Sequence, residues 1–466
     1  MPNLPVQRSR TALALAAIVL LALVLRGAWL ARTETVLPPL SDPQYYQATA
    51  TNLAAGHGYS VAVRQPGEPG AEWGFVAGPE SEATAFWSPG YPFVLAPLYK
   101  IFGPDERIAK ALNALAGALT VMPIFFLGRS IRTGRHGDAV GLLAAFLFAI
   151  APSLIFWTAS LFSEALFTFG VATTLAMALW ARERRSLRAY FVIGIVLAAT
   201  AFVRAQGLLF IVPVFLLLWP RTSERHDRDA TVIPDALGGS IPTTLLRRTI
   251  PTAARIAAPL LAGMALLIVP WAIRNDVAMG APSLINDSAG YNLRLAHGPY
   301  SNGTSTPPRD LWDERPGISF REREIFWHDV GQRRAVAYAR EHPGRELQLA
   351  ALRIGWLLRS DAEPSIRWSE SLGLTPLGTG RDAWVLVGDV YWYGLLALAA
   401  ASLLIVRRER MWLALWSAIA VWLALHLVFA GEPRYHVPLT PALVILAAAT
   451  LIAALEKVLG RAAEAA

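Results

Sequence analysis

The chain has 466 residues, of which 54% are hydrophobic and only 16% are charged. Soluble globular proteins carry about 25% charged residues, so this composition excludes an ordinary soluble protein. The net charge of +8 comes from arginines in short clusters between apolar runs, which is typical of a membrane protein and does not indicate nucleic-acid binding. The absence of cysteine excludes disulfides and thiolate zinc sites, but not a metal held by carboxylates and histidines.

Apolar runs predict membrane-spanning helices, since about 20 residues cross a hydrocarbon core of about 30 Å. In chain order the predicted spans cover residues 12–31, 108–127, 139–157, 161–180, 189–203, 207–219, 257–273, 383–406, 411–429 and 437–455. The first run follows Arg8 and Arg10, as in a signal peptide, but it is longer than a typical signal core and many other runs follow. We therefore expect a retained helix. Residues 93–102 form a shorter apolar stretch that could enter the membrane as an additional element.

These runs predict a mainly α fold: a polytopic helical membrane protein with about 10–12 transmembrane helices and two large outer loops. Residues 1–273 form the predicted transmembrane catalytic module, which includes a first outer loop at residues 32–106. Residues 274–382 form an outer hydrophilic segment, and residues 383–466 carry the C-terminal transmembrane helices.

The distribution of arginine predicts the orientation in the membrane. Short basic clusters lie at residues 129–135, 182–188, 221–248 and 407–410. With a cytoplasmic N-terminus, all of these clusters fall inside and both large loops fall outside, as the positive-inside rule requires.

Ionisable residues inside or beside the spans gather at one side of the membrane in this topology. They are Arg26, Glu164, Arg204, Arg274, Asp389, His426, Glu432 and Arg434. Charged groups within spans are costly and usually functional, so their common depth predicts a polar cavity that opens to the outer leaflet. The alternative is that the arginines extend to the interface beside Trp29 and Trp271.

The stretch Ser41–Tyr46 follows the first span and places the carboxylate of Asp42 just outside the membrane, beside Tyr45 and Tyr46. Asp42 is a candidate catalytic residue. Because Pro43 suits the first position of a helix, Asp42 is equally a candidate N-cap for a helix from Pro43 to Ala55 that Gly56 ends.

Two further candidates also have a structural alternative. Ser163 and Glu164 could cap the helix of the fourth span, where a carboxylate favours the positive end of the helix dipole. His57 lies between two glycines and His426 within a span, and neither alone indicates a metal site.

The chain resembles the polytopic GT-C glycosyltransferases. The likeness is to bacterial relatives of the dolichyl-phosphate-mannose protein mannosyltransferases (glycosyltransferase family 39) and of the lipid A aminoarabinose transferases. It is carried, in the family's order, by the segments Ser41–Tyr46, Ala55–Ser60, Ser88–Pro92, Leu98–Gly103, Ser163–Phe167, Phe202–Gly207, Pro270–Asn275 and Glu432–Tyr435. One departure is Pro43, which stands where many members carry a second acidic residue.

The resemblance implies transfer of a sugar, with inversion, from a polyprenyl-phosphate donor to a lipid, glycan or protein acceptor. It places the protein in a bacterial inner (cell) membrane, among membrane lipids, with its active site on the periplasmic or extracellular side. Asp42 would be the base, and a phosphate leaving group requires no general acid. The matching substrate-binding positions are Tyr45, Tyr46, His57, Glu164, Arg204, Arg274, Asn275, Arg434 and Tyr435. The resemblance implies no certain cofactor, and a divalent cation is a possible one.

Three rival hypotheses predict other features. A flippase or transporter of lipid-linked sugars predicts ionisable residues through the whole membrane depth and broken helices at the midplane. A polysaccharide polymerase or ligase would share the outer arginines without requiring Asp42. A structural anchor would not explain charges within the spans.

Overall fold

The computed structural model describes residues 4–33, 37–38, 40–64, 74–132, 134–220, 243–312, 314–315, 317–371, 377–378, 380–406 and 409–465. The N-terminal half contains helices α1 (Leu4–Leu30), α2 (Asp42–Ala55), α3 (Gly90–Phe102), α4 (Glu106–Leu119), α5 (Val121–Arg129), α6 (Gly134–Ile150), α7 (Pro152–Phe156), α8 (Glu164–Arg184), α9 (Leu187–Val203) and α10 (Ile211–Leu218). The C-terminal half contains α11 (Thr243–Met279), α12 (Ala289–Ala296), α13 (Arg309–Trp312), α14 (Phe320–Glu341), α15 (Pro343–Leu357), α16 (Ala362–Ser371), α17 (Gly380–Ile405), α18 (Arg410–His426) and α19 (Thr440–Ala465). Short 3-10 helices cover Trp157–Ala159, Ala205–Phe210 and Pro433–Leu439.

Every predicted span coincides with an apolar helical segment. Within the described residues, six segments are long and apolar enough to cross a membrane: Ser9–Leu30, Glu106–Arg129, Glu164–Arg184, Thr252–Met279, Gly380–Ile405 and Pro433–Leu459. The shorter apolar helices Leu187–Val203, Ala205–Leu218 and Arg410–His426 match three further predicted spans. The predicted polytopic helical fold is therefore confirmed.

The remaining predicted span, residues 139–157, is not a single straight helix. The segments Gly134–Ile150 and Pro152–Ala159 are bent by 54° relative to each other. Ala151 is extended, with φ −57° and ψ 114°, because the ring of Pro152 disfavours a helical conformation in the preceding residue. Counted as one crossing, this bent pair makes a seventh span.

Helices α9 and α11 pack closely because each has a glycine that faces the backbone of the other. A Cβ atom placed on Gly194 would lie 2.1 Å from the carbonyl oxygen of Leu260. A Cβ atom on Gly263 would lie 2.0 Å from the carbonyl oxygen of Phe191. In lipid, where burial of apolar surface does not drive association, such small residues let two helix backbones approach closely.

The first outer loop is a small folded unit. It joins α2 to a three-stranded antiparallel sheet of β1 (Ser60–Arg64), β2 (Gly74–Val76) and β3 (Glu82–Ala83), in the order β2–β1–β3. The Gln44 side chain accepts from the Phe75 backbone N–H at 2.9 Å, and Asn52 donates to the Ser60 carbonyl at 2.9 Å. Gly56 ends α2 in the left-handed region, with φ 85°, as predicted.

The apolar stretch at residues 93–102 is helix α3, which packs on α2 and on α9. The stretch is therefore helical, and its entry into the membrane stays a prediction. The hydrophilic segment after α11 is helical, and α12 packs against α14 within it.

Helix α11 continues to Met279, past the predicted boundary at residue 273, and the three-part domain division stays a prediction. Most of the predicted cytoplasmic cluster at 221–248 lies outside the described residues.

Candidate active site

Asp42 is the first residue of α2 and is not its cap. The cap is Ser41, whose side-chain oxygen accepts from the Gln44 backbone N–H at 3.4 Å. The capping alternative for Asp42 was therefore wrong, because the preceding serine already satisfies that N–H group. The carboxylate of Asp42 is left to make contacts with the rest of the molecule.

The partner of Asp42 is Arg434, near the C-terminal end of the chain. Nη2 of Arg434 lies 3.4 Å from Oδ2 of Asp42, and its Nε lies 3.2 Å from Oε2 of Glu432. The side chains of Asp42 and Arg434 are 27% and 18% exposed, so the pair is half-buried. Burial raises the pKa of the Asp42 carboxyl, the Arg434 guanidinium opposes this rise, and the carboxylate of Glu164 adds to it.

A second acid–arginine pair joins the ends of α8 and α9. Nη1 of Arg204 lies 2.7 Å from Oε1 of Glu164, and it also donates to Oγ of Ser163 at 3.3 Å. The Ser163 side chain makes no cap bond to α8, so the predicted capping role of Ser163 was wrong. The Tyr46 hydroxyl lies 3.4 Å from the same Oγ, which connects α2 to this pair.

Aromatic rings hold the two guanidinium groups next to each other. Cζ of Arg434 lies 4.3 Å from the ring centre of Phe162 and 5.2 Å from that of Tyr435. Cζ of Arg204 lies 5.7 Å from the ring centre of Tyr435. Aromatic faces attract cations, so the shared ring of Tyr435 places two positive charges side by side.

We call this group the carboxylate–arginine cluster. Its members are Asp42, Tyr46, Phe162, Ser163, Glu164, Arg204, Glu432, Arg434 and Tyr435. A cavity of about 30 Å³ adjoins it and is lined by the side chains of Glu164, Arg434 and Arg26, among others. The cluster can accept a proton at a carboxylate and stabilise an anion with two arginines.

Arg274 and Asn275 lie in a different network. The Arg274 guanidinium donates to the backbone carbonyls of Thr84 and Tyr59, both at 2.7 Å, and does not pair with Asp42. The buried Asn275 side chain donates to Oγ of Ser283 at 3.0 Å. Arg274 and Asn275 therefore lie apart from the cluster, and their role in substrate binding stays a prediction.

Tyr45 and His57 also lie apart from the cluster. Tyr45 is fully buried in the first outer loop, and its hydroxyl lies 2.8 Å from Oγ1 of Thr84. This contact indicates a packing role for Tyr45. His57 is exposed just beyond the end of α2, whereas Asp42 is the first residue of this 14-residue helix, which rises about 1.5 Å per residue.

Sequence reasoning missed several site residues. Phe162 and Ser163 carry no charge, and only the neighbouring Glu164 marked their position. Glu432 stood out as an ionisable residue at the outer side, but its bond to Arg434 requires the folded 3-10 turn. His426 is buried, and its Nδ1 lies 2.8 Å from the carbonyl oxygen of Ala430.

No group of three or more His, Asp or Glu side chains within the described ranges is placed to hold a metal ion. The predicted role of a divalent cation therefore stays open.

Residues 87–233 match the family model of the dolichyl-phosphate-mannose-protein mannosyltransferases. This region includes Glu164 and Arg204 of the cluster, whereas Asp42 and Arg434 lie outside it. No curated protein matches the chain.

Among solved structures, the chain is similar to the oligosaccharyltransferase of Archaeoglobus fulgidus. In its apo form the TM-score is 0.52 at 17% identity, over 97% of this chain and 52% of that one. The same archaeal enzyme, AglB, in complex with an inhibitory peptide and a dolichol-phosphate gives 0.52 at 15% identity, over 98% and 52%. ArnT from Cupriavidus metallidurans bound to undecaprenyl phosphate gives 0.41 at 15% identity, over 94% and 77%.

The chain has the GT-C glycosyltransferase fold. The resemblance inferred from the ordered sequence segments is thereby confirmed. The chain spans about half the length of the oligosaccharyltransferase structures that it matches.

Proposed function

We propose that this protein is an inverting glycosyltransferase that moves a sugar from a polyprenyl-phosphate donor to a hydroxyl acceptor. The reaction would take place at the outer face of a bacterial cell membrane. The observation that carries the proposal is the carboxylate–arginine cluster itself, in which Asp42 lies beside Arg434 on a chain with the GT-C fold. The match of residues 87–233 to the mannosyltransferase family supports the same reaction class.

The proposed step is a single displacement at the anomeric carbon. The acceptor oxygen forms a bond to that carbon as the bond to the donor phosphate oxygen breaks, and the proton of the acceptor passes to the carboxylate of Asp42. The electron pair leaves with the phosphate, so no group has to protonate the leaving oxygen. Attack opposite the leaving group inverts the configuration, and the transition state resembles an oxocarbenium ion.

Arg204 and Arg434 would stabilise the charge that develops on the leaving phosphate. Both guanidinium groups are already fixed, by Glu164 and by Asp42 with Glu432, so they need little reorganisation during the reaction. A fixed arginine is suited to phosphate because its planar fork of donors matches two oxygens at once. The predicted phosphate contact of Arg274 is not part of this proposal, since that side chain is bound to backbone carbonyls.

The substitution Asp42→Asn tests the assignment of the base. Asparagine has nearly the same shape and leaves the Ser41 cap in place, but it cannot accept the proton. We expect transfer from a polyprenyl-phosphate sugar to fall by about 100-fold or more, the range of a lost general base, with unchanged thermal stability in detergent. Asp105→Asn is the matched control, because Asp105 is an exposed cap of α4.

Full activity in Asp42→Asn would show that Asp42 is not the base and would favour the polymerase or ligase alternative. Analysis of the reaction products also distinguishes a transferase from a transporter. A transferase releases free polyprenyl phosphate in equal amount to the new glycoside, whereas a transporter leaves the sugar on its lipid.

A further inference from the structure

Arg26 is an almost completely buried arginine that the cluster does not use. It lies near the outer end of α1 and is 1% exposed. Its Nη1 donates to the backbone carbonyls of Ala22 and Ala149, both at 3.2 Å. One edge of the guanidinium is therefore satisfied by protein.

The other edge of the same guanidinium has no protein partner. Nε and Nη2 of Arg26 are both buried, and neither has a hydrogen-bond acceptor among the described residues. A buried donor without an acceptor destabilises the protein, and the effect is larger when the donor is charged. Two such donors on one side chain indicate that an acceptor belongs there.

Arg26 is also one of the residues that line the cavity beside the carboxylate–arginine cluster. Gly117, Glu164 and Arg434 line the same cavity. The backbone makes room for this arrangement, since a Cβ atom on Gly117 would lie 2.6 Å from Nε of Arg26. Alanine in place of Gly117 would displace the guanidinium.

The shape of the donor pair favours one class of acceptor. Nε and Nη2 lie on one side of the planar guanidinium, and this edge binds the two oxygens of a carboxylate in parallel. A cavity of about 30 Å³ admits water-sized atoms, such as the two oxygens of a carboxylate.

The donor phosphate fits this position less well. In the intact donor that phosphate carries the lipid on one oxygen and the sugar on another, whereas Arg26 is almost fully buried. A carboxylate is a terminal group and can reach a buried end while the rest of the sugar stays at the cluster.

We propose that Arg26 is a specificity-determining residue that binds the carboxylate of an acidic sugar on the lipid donor. The inference rests on the proposed transferase function and adds the substrate class, a sugar of the hexuronic acid type. No covalent step is added, because the carboxylate only binds.

The test compares two donors that differ at one carbon. Short-chain polyprenyl phosphates carrying glucuronic acid or glucose present a carboxylate or a hydroxymethyl group at the same position. Dissociation constants are measured with the purified full chain in detergent, and the bare polyprenyl phosphate is measured alongside. We expect the glucuronic acid donor to bind at least about tenfold more tightly than the glucose donor, a difference of about 1.4 kcal/mol, because hydrogen bonds between charged groups are stronger than those to a neutral hydroxyl.

Arg26→Met should reduce this preference to about one, because methionine fills similar apolar space without donors. Arg129→Met is the matched control: Arg129 pairs with Asp138 at 3.2 Å, away from the cavity, and the preference should persist. Gly117→Ala provides an independent variant if Arg26→Met does not accumulate. Its added methyl meets a movable side chain, so the fold should survive and the preference should fall.

Equal binding of the two lipid-linked sugars by the unmodified protein would overturn the proposal. It would indicate that water accepts from the free N–H groups of Arg26. A preference that persists in both Arg26→Met and Gly117→Ala would overturn it too. Binding of the bare phosphate that weakens in Arg26→Met, without a preference between sugars, would assign Arg26 to the donor phosphate instead. Failure of every lipid to bind would contradict the proposed function itself.

Discussion

The carboxylate of Asp42 lies between opposing electrostatic influences. Burial and the nearby charge of Glu164 raise its pKa, whereas the guanidinium of Arg434 lowers it. A general base has to be deprotonated before it can accept a proton, so activity should fall at acidic pH as this carboxyl becomes protonated. Arg434 thus has two proposed roles, one on the phosphate and one on the base.

Arg434→Met should move the acidic limb of the kcat/KM profile to higher pH. The substitution removes the charge that lowers the pKa of Asp42, so the carboxyl is protonated at a higher pH than in the unmodified protein. Arg434→Lys keeps a positive charge and should leave the limb closer to its original position. An acidic limb that stays in place in Arg434→Met would show that another group controls it.

At the scale of one element, the start of α2 depends on Ser41. Its side chain accepts from the Gln44 N–H at 3.4 Å and donates to the Pro38 carbonyl at 2.6 Å. The helix then presents Asp42 and Tyr46 to the cluster, and Tyr45 to the loop core. Adjacent helical residues point in different directions, which explains why the two tyrosines have different surroundings.

Ser41→Ala should destabilise the first turn of α2 by about 1 kcal/mol, the usual cost of a lost cap. Hydrogen exchange of the Gln44 amide should become faster, because that N–H loses its acceptor. Ser41→Asn is the control, since asparagine caps as well as serine. Unchanged exchange in Ser41→Ala would return the capping role to Asp42.

At the scale of the whole molecule, a buried acid connects the outer segment to the first loop. Glu324 on α14 contacts the Thr84 hydroxyl and accepts from the Ala85 N–H at 3.0 Å. Arg274 at the end of α11 donates to the Thr84 carbonyl. Three distant parts of the chain therefore meet at residues 84 and 85.

Rising pH should weaken this connection. Burial raises the pKa of Glu324 well above its ordinary value, and the nearby Asp287 adds to the rise. Burial also raises the pKa of Asp287, to about 6. A group whose pKa is raised on folding gives its full stabilisation below its unfolded pKa, and this is lost as pH rises through the folded pKa. Hydrogen exchange of the Ala85 amide, corrected for its intrinsic pH dependence, should therefore show less protection at higher pH.

Glu324→Gln should flatten that dependence, because the amide resembles the neutral acid and cannot ionise. Glu322→Gln is the matched control on the same helix: Glu322 is exposed, and glutamine preserves its capping box with Ser319. A Glu324→Gln protein whose Ala85 protection still declines with pH would assign the effect to other groups.

The sequence by itself determined the features that depend on local pattern. Apolar runs of about 20 residues located the membrane helices, since that length is needed to cross a bilayer. The ordered motifs identified the GT-C resemblance, and Asp42 with Arg434 stood among the candidates before any contact was known. The bend before Pro152 was missed, because hydropathy does not report backbone direction.

Only the tertiary structure decided which candidates act together. Asp42 and Arg434 are 392 residues apart in the chain, and helix packing brings them within 3.4 Å. The same packing assigned Arg274 to backbone carbonyls and left one edge of Arg26 without a partner beside the cavity. Burial and partnership depend on contacts that are distant in sequence, and the charge of a residue does not reveal which partner its folded surroundings supply.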